Sequence, residues 1–362
     1  MFSFYNRESR FFFTYFFYLL LVGTLCVLSS SIFLSTVYYN SPFFFYIKQI
    51  IGMIISLFLC LLVSFFPGNF FYKQSFYIFS LAVVLNLLLF IPALRYEFHG
   101  VPRWLKLGSF LFQPAELLKV GFLIYIAHLF TYYVDQISFL LLRTGIAFFV
   151  TISLLYYQSD FGTTMLICGL YVIFLSNFSY KKKFLLYFLA AISIILFVLI
   201  FLKPYRIIRI LTFLNPWQDK LKSGFQIIQS FIAIRNGSFW GVGFGLSRQK
   251  RLFLPMAHSD FIFSIILEES GFFGGIILLG SILIFSYVCI YFSFYEESLF
   301  KKNYLFGLGF LLFSQTVINV AGVTGLIPLK GIGLPFISYG VSSLIGFGIL
   351  IGIALSLLNE KN

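Results

Sequence analysis

The sequence predicts an all-α polytopic membrane protein of about ten transmembrane helices, with a large extracytoplasmic loop between helices seven and eight. Three observations carry that prediction. Hydrophobic residues make up 60% of the 362-residue chain and charged residues only 10%, against about 25% charged in a soluble domain. Apolar runs of ~20 residues recur along the whole chain, each long enough to cross a bilayer as a helix. The separators carry turn and charge signals, as in Asn40-Ser41-Pro42, Pro67-Gly68-Asn69 and Lys181-Lys182-Lys183. A β-barrel would need short alternating strands, and none is read here.

The elements follow in order. The first span, 12–34, comes after Arg7 and Arg10; it is too long for a signal peptide and lacks a small-residue cleavage site. Further spans are read at 43–66, 76–94, 114–131, 141–157, 161–178 and 184–203. Gln113-Pro114 suits a helix start, with proline in the first turn. After a loop at 204–260 come 271–294, 304–327 and 334–357, so residues 1–362 read as one membrane domain. Cys26, Cys60, Cys168 and Cys289 lie singly inside apolar segments. They read as small hydrophobes, with neither a disulfide framework nor a metal site.

Charge sets the orientation. With the N-terminus in the cytoplasm, the inner loops hold ten Lys or Arg: Arg7, Arg10, Lys73, Arg143, Lys181, Lys182, Lys183, Lys301, Lys302 and Lys361. The short outer connections hold Lys48, Arg95, Arg103, Lys106 and Lys330. Both termini are therefore expected in the cytoplasm. The loop 204–260 is exempt from this rule by its length and carries eight Lys or Arg. It suits either anionic lipid headgroups or an anionic substrate group such as a phosphate. Nothing calls for a nucleic-acid partner.

The acids are sparse and concentrated. "LPMAHSDFIFSIILEES" (Leu254–Ser270) holds Asp260, Glu268 and Glu269, three of the twelve acids in the chain. An ionisable residue at the end of a spanning segment is a functional candidate; Asp260 is equally placed to cap the helix that follows. Glu268 and Glu269 suit structural pairing. Glu116 and Lys119, three residues apart, share a helix face and form either a buried salt bridge or a cavity wall. His258-Ser259-Asp260 is too compact for a hydrolase relay and matches no metal pattern.

Five ordered stretches carry a family resemblance: "GVPRWLKLGSFLFQPAELLKV" (100–120), "QSDFGTTM" (158–165), "NPWQDKLKSGFQIIQSFIAI" (215–234), "GVGFGLSRQKRLFLPMAHSDFIFSIILEESGFFGG" (241–275) and "GLIPLKGIGLPFISYGVSSL" (325–344). Together they resemble the FtsW/RodA/SpoVE (SEDS) family, and "NPWQD", "SRQK" and "LKGIGLPFISYG" are more similar to its division branch than to its elongation branch. The resemblance implies a peptidoglycan glycosyltransferase in the bacterial cytoplasmic membrane at the division site. Such an enzyme polymerises lipid II and works with a class B penicillin-binding protein among other division proteins.

Chemistry assigns the roles. An acceptor 4-hydroxyl attacks an anomeric carbon whose leaving group is a lipid pyrophosphate, so a general base and cations are needed. If an α-linked donor becomes a β-linked product, one inverting displacement suffices. Asp260 matches the Asp of the family's "[ST]DFIF" motif, regarded as catalytic. Lys119 and Glu116, of its "QPxELxK" pattern, are expected to orient substrate. Lys330, Arg248, Lys250 and Arg251 are candidates for the pyrophosphate, and His258 for support of Asp260. Asp160 of "QSDFGTT" is expected to cap a helix. No cofactor is indicated beyond the open alternative of a divalent cation. Met256 stands where the family usually has Glu, Val341 replaces a usual Gly, and Arg235-Asn236 interrupts a usually Gly-rich turn. The competing readings are a flippase for a lipid-linked precursor, and a non-catalytic scaffold that activates a penicillin-binding protein.

Overall fold

The structure, a computed structural model, describes residues 6–98, 100–108, 110–177, 204–220, 224–329 and 331–360. The span expected at 184–203 and Lys330 lie outside the described residues. Helices α1 (Arg7–Tyr39), α2 (Phe44–Ser64) and α3 (Gly68–Leu87) lead to a small sheet of β1 (Arg95–Phe98), β2 (Val101–Leu107) and β3 (Phe110–Phe112). Then come α4 (Pro114–Tyr132), α5 (Ile137–Tyr157), α6 (Phe161–Asn177), α7 (Pro204–Leu214), α8 (Phe225–Gly237), α9 (Ile262–Tyr295), α10 (Leu299–Val323) and α11 (Val341–Asn359). Among the described residues eight helices are long and apolar enough to span a membrane, and α6 is a shorter apolar helix.

Local chemistry sets the boundaries. Asn40 ends α1 in the left-handed region at φ 51°, which a short polar side chain tolerates. Pro67 precedes α3 in extended backbone, and Pro114 sits in the first turn of α4. The third helix therefore starts at Gly68, earlier than the expected 76, and the chain leaves it through a 3-10 turn, Leu88–Phe90.

That early exit frees residues for the antiparallel sheet β1-β2-β3, which the sequence reading missed. Phe98 pairs with Val101 and Leu107 with Phe110, so both connections are two-residue turns. Gly100 (φ 74°) and Gly108 (φ 63°) supply the positive φ that such turns require. The usable signal was the hairpin pattern of aromatic and β-branched residues around these glycines.

Helices α4 and α11 form the inside of the bundle, each with 78% of its spanning window buried, against 28% for α2 and α3. Small residues let α11 approach α2: a Cβ at Gly352 would stand 2.6 Å from the Cys60 carbonyl oxygen. Ser56 Oγ donates to Leu344 O across this seam at 2.6 Å. At the far end Ser9 Oγ donates to Asn359 Oδ1 at 2.6 Å, joining the first and last helices.

Two segments depart from simple spans. Residues 334–340, expected to open the last span, form turns, with Phe336 at φ 65°. Their polar groups are committed elsewhere: Ser338 Oγ accepts from Leu334 N at 2.7 Å and donates to Ser259 O at 2.7 Å. The region expected as loop 204–260 contains α7 and α8. Helix α9 is broken at Gly271 (φ 69°, ψ −173°) into a short arm, 262–270, and a spanning part. The break frees carbonyls, and Val242 N and Gly243 N donate to Glu268 O and Glu269 O at 3.0 Å each.

Gly271 has positive φ and lies against Gly241 and Phe239, where a Cβ would overlap backbone. Gly271→Ala is expected to destabilise the protein by about 1–3 kcal/mol from the backbone conformation alone. Thermal unfolding of the detergent-solubilised protein checks this, with Gly145→Ala, in open space inside α5, as the control that loses no stability.

Candidate active site

The two glutamates at the end of the short α9 arm are enclosed by the loop 242–261. Glu268 is fully buried and Glu269 is 5% exposed. Glu268 accepts from Asn236 Nδ2 (3.1 Å), Arg248 N (3.3 Å), Gln249 N (3.2 Å) and the Ser247 hydroxyl. Glu269 accepts from Lys250 Nζ (2.7 Å), Ser29 Oγ (2.6 Å) and Ser247 N (3.4 Å). Every carboxylate oxygen has a donor, as burial of charge demands. The "SRQK" and "EES" stretches are thus one structural unit. It ties the loop to α9 and, through Ser29, to α1.

At the other end of the short arm lies Asp260, half-buried. Its backbone is held firmly. Asn319 Nδ2, on α10, donates to Asp260 O (3.0 Å) and Ile332 O (2.6 Å), and Tyr339 N donates to His258 O (2.9 Å). Its carboxylate receives no hydrogen bond from the described residues. Gly331 keeps that carboxylate clear, since a Cβ there would come within 3.2 Å of Oδ2. Enclosure by protein raises the Asp260 pKa to about 6; Arg103 and Arg209 oppose the rise and Asp160 adds to it.

These three charged residues are themselves placed by the fold. Arg103 on β2 donates through Nε to Gln158 O (3.0 Å) and through Nη2 to Ser159 O (2.6 Å). Arg209 on α7 donates to Leu329 O (3.1 Å). Asp160 caps α6, accepting from Thr163 N (3.1 Å) and Thr163 Oγ1 (2.9 Å), and Gln113 Nε2 reaches it at 3.4 Å. Asp260 therefore lies within electrostatic reach of two arginines, each of which also donates to backbone carbonyl oxygen.

Lys119 and Glu116 lie one side chain further from Asp260. Lys119 is 3% exposed, pairs with Glu116 Oε2 at 2.8 Å and donates to Gln315 Oε1 at 3.3 Å. Gln315 Nε2 in turn donates to Gly333 O at 3.0 Å. The pair is joined through one side chain to the 331–340 turn that flanks Asp260.

The structure separates the residues read from the sequence. Asp260 stands in the recess. Glu116 and Lys119 are joined to its wall through Gln315. Lys250, expected to meet a pyrophosphate, is buried and bound to Glu269, so its charge is committed to that pair. Arg248 and Arg251 are exposed on the loop, and nothing in the structure brings them to the Asp260 carboxylate. His258 is buried against Phe45 and Tyr339, with ring centroids at 4.5 and 5.3 Å. Burial lowers its pKa to about 4, so it is a neutral packing group. Met256 is 40% exposed, at φ 56°. Sequence reasoning missed Arg103, Arg209, Asn319 and Gln315. Arg103 sat inside a quoted motif, but only the sheet shows where it points.

A helical membrane bundle that gathers Asp260, a buried glutamate pair and two arginines near one end defines a class: a polytopic membrane protein with a polar site towards one face. The chain belongs to the cell cycle protein family of FtsW, RodA and SpoVE, whose model matches residues 9–362. It is 36% identical over 329 residues to the probable peptidoglycan glycosyltransferase FtsW of Buchnera aphidicola from Schizaphis graminum, covering 89% of this chain and 92% of that protein. It is 34% identical to the corresponding Legionella pneumophila protein, covering 94% and 88%. Among solved structures, a chain of a peptidoglycan synthase complex superposes with TM-score 0.76 at 24% identity, covering 98% and 97%. The rod shape determining protein RodA of Thermus thermophilus superposes at 0.69 and 22%, covering 97% and 96%.

Removing one partner of a buried ion pair costs about 3–5 kcal/mol. Lys250→Met is expected to lose that much stability, and Lys250→Met with Glu269→Gln to recover more than half of it. Unfolding of the single and double variants in detergent measures the coupling, and an unaltered Lys250→Met protein would contradict the assignment.

Proposed function

We propose that this chain is a peptidoglycan glycosyltransferase of the division type, polymerising lipid II at the outer face of the bacterial cytoplasmic membrane. The observation that carries the reading is the Asp260 carboxylate, free of hydrogen bonds from the described residues and within electrostatic reach of Arg103 and Arg209. The names of its relatives support the activity and the division branch. In the proposed reaction the acceptor 4-hydroxyl attacks the anomeric carbon of the lipid-linked donor. The new C–O bond forms as the bond to the pyrophosphate breaks, with inversion. Asp260 takes the hydroxyl proton, and Arg103 and Arg209 neutralise charge on the departing pyrophosphate. Lys330 and the exposed Arg248 and Arg251 remain candidates for guiding the anionic substrate inward.

Orientation follows from the cationic bias of the sequence: the sheet, α7 and α8 lie outside and both termini inside. Below Lys119, α4 is packed mainly through apolar side chains, with Phe122, Leu123, Ile126 and Phe130 all at 0% exposure, and its polar groups His128 and Thr131 come in the last turns, where they meet Tyr72 and Asn303. That packing favours a site at one face over a translocation path. The described residues of the region 204–260 form α7, α8 and turns, and in this reading cross-linking belongs to a separate class B penicillin-binding protein. Among the described residues no three His, Cys, Asp or Glu side chains converge, and Met256 contributes no carboxylate. No step here is routed through a metal.

Two outcomes follow. Asp260→Asn is expected to reduce lipid II polymerisation by at least ~100-fold, the scale of a general base, while the protein elutes and unfolds like the parent. Product formation at the parent rate would overturn the assignment. Second, a base held at about 6 must lose its proton to work, so polymerisation should fall as pH drops through about 6. Arg103 lowers that value, so Arg103→Gln should move the limb to higher pH.

A further inference from the structure

Away from the Asp260 recess, helices α3, α4 and α5 leave a groove of about 540 Å³ on the membrane-facing surface. Its walls include Phe79, Val83, Tyr125, Phe139, Ile146 and Val150, with Arg143 one turn in from Phe139. Arg143 is six residues into α5, about 9 Å along the helix axis. It lies towards the face that carries the chain termini.

A guanidinium at this depth is costly unless it is matched. Arg143 is exposed, and its charge stands 5.5 Å from the centre of the Tyr133 ring and beside the Tyr125 hydroxyl. Neither neighbour carries a negative charge at neutral pH. The acid nearest in sequence, Asp135 in the α4–α5 turn, makes no ion pair with it. The groove thus presents a hydrocarbon slot with one cation in its wall that makes no ion pair with the described residues and whose planar fork suits a phosphate.

We propose that this groove binds one anionic glycerophospholipid from the leaflet on the side of the termini. Its acyl chains follow the walls and its phosphate meets Arg143. The lining follows α5 from Phe139 to Val150, about 16 Å of helix along which an acyl chain can lie. A lipid phosphate brings the negative charge that no described residue offers Arg143 in an ion pair. Charge favours an anionic lipid over a zwitterionic one, in which the phosphate is matched within its own headgroup. The groove shares no residue with the Asp260 recess, so the proposal is independent of the glycosyl-transfer reading.

The test is native mass spectrometry of the purified full-length chain titrated with dioleoyl phosphatidylglycerol or dioleoyl phosphatidylcholine. One charge-assisted contact corresponds to roughly a tenfold difference in affinity. The expected result is a single phosphatidylglycerol adduct, formed at about tenfold lower concentration than its phosphatidylcholine counterpart. Arg143→Gln should abolish that preference, and Ile146→Trp, which fills the slot, should remove the adduct. Circular dichroism and size-exclusion profiles should match the parent for both variants. Equal binding of the two lipids, or an unchanged preference in Arg143→Gln, would overturn the proposal. So would a dimer of this chain that Ile146→Trp dissociates, which would make the groove a protein contact.

Discussion

Two adjacent buried carboxylates, Glu268 and Glu269, impose the constraint from which the polar end of this molecule follows. Neither can be left unpaired at a membrane-buried position without a cost of several kcal/mol. The chain meets the demand with a loop that turns back over them, Ser247–Lys250, and with Ser29 from the first helix. Because the helix breaks at Gly271, the same two residues also offer free carbonyls, which Val242 and Gly243 occupy. Side chains and backbone thus fasten one loop at one point, and the loop's other end is the segment that carries Asp260.

Asp260 is treated in the opposite way. Donors converge on the two glutamates, whereas the described residues hold the backbone of Asp260 and leave its carboxylate free. Asn319 on α10 and the 331–340 turn fix the carbonyl path on either side of it. Arg103 and Arg209 act on it through space, Arg103 while bonded to Gln158 O and Ser159 O and Arg209 while bonded to Leu329 O. The buried Lys119–Glu116 pair acts one layer deeper, steadying Gly333 through Gln315. An acid held in this way is the one to which the proposed proton transfer is assigned. An acid saturated with donors has the character of a rivet.

Much of this was legible in the sequence. Apolar runs and turn residues located the spanning helices. The isolated acid before "FIFSIILEES" marked Asp260, and adjacency marked Glu268 and Glu269 as structural. What was hidden depends on distance along the chain. Lys250 looks like a free cation in "SRQK" until the fold sets Glu269, nineteen residues on, 2.7 Å from it. Arg103 and Arg209, more than one hundred positions apart, meet near one carboxyl that neither adjoins in sequence. The small sheet escaped notice because a three-stranded hairpin pattern is weak beside runs of hydrocarbon. The turn at 334–340 read as helix because its apolar letters are the same whichever backbone they adopt.

The central claim is that the glutamate pair positions the loop that presents Asp260, and amide hydrogen exchange combined with a polymerisation assay tests it most directly. Glu268→Gln keeps the shape of the side chain and removes its charge. The account predicts that protection falls across residues 242–261 while the spanning part of α9 stays protected, and that kcat for lipid II polymerisation falls with it. Loss of protection across 242–261 with kcat unchanged would contradict it.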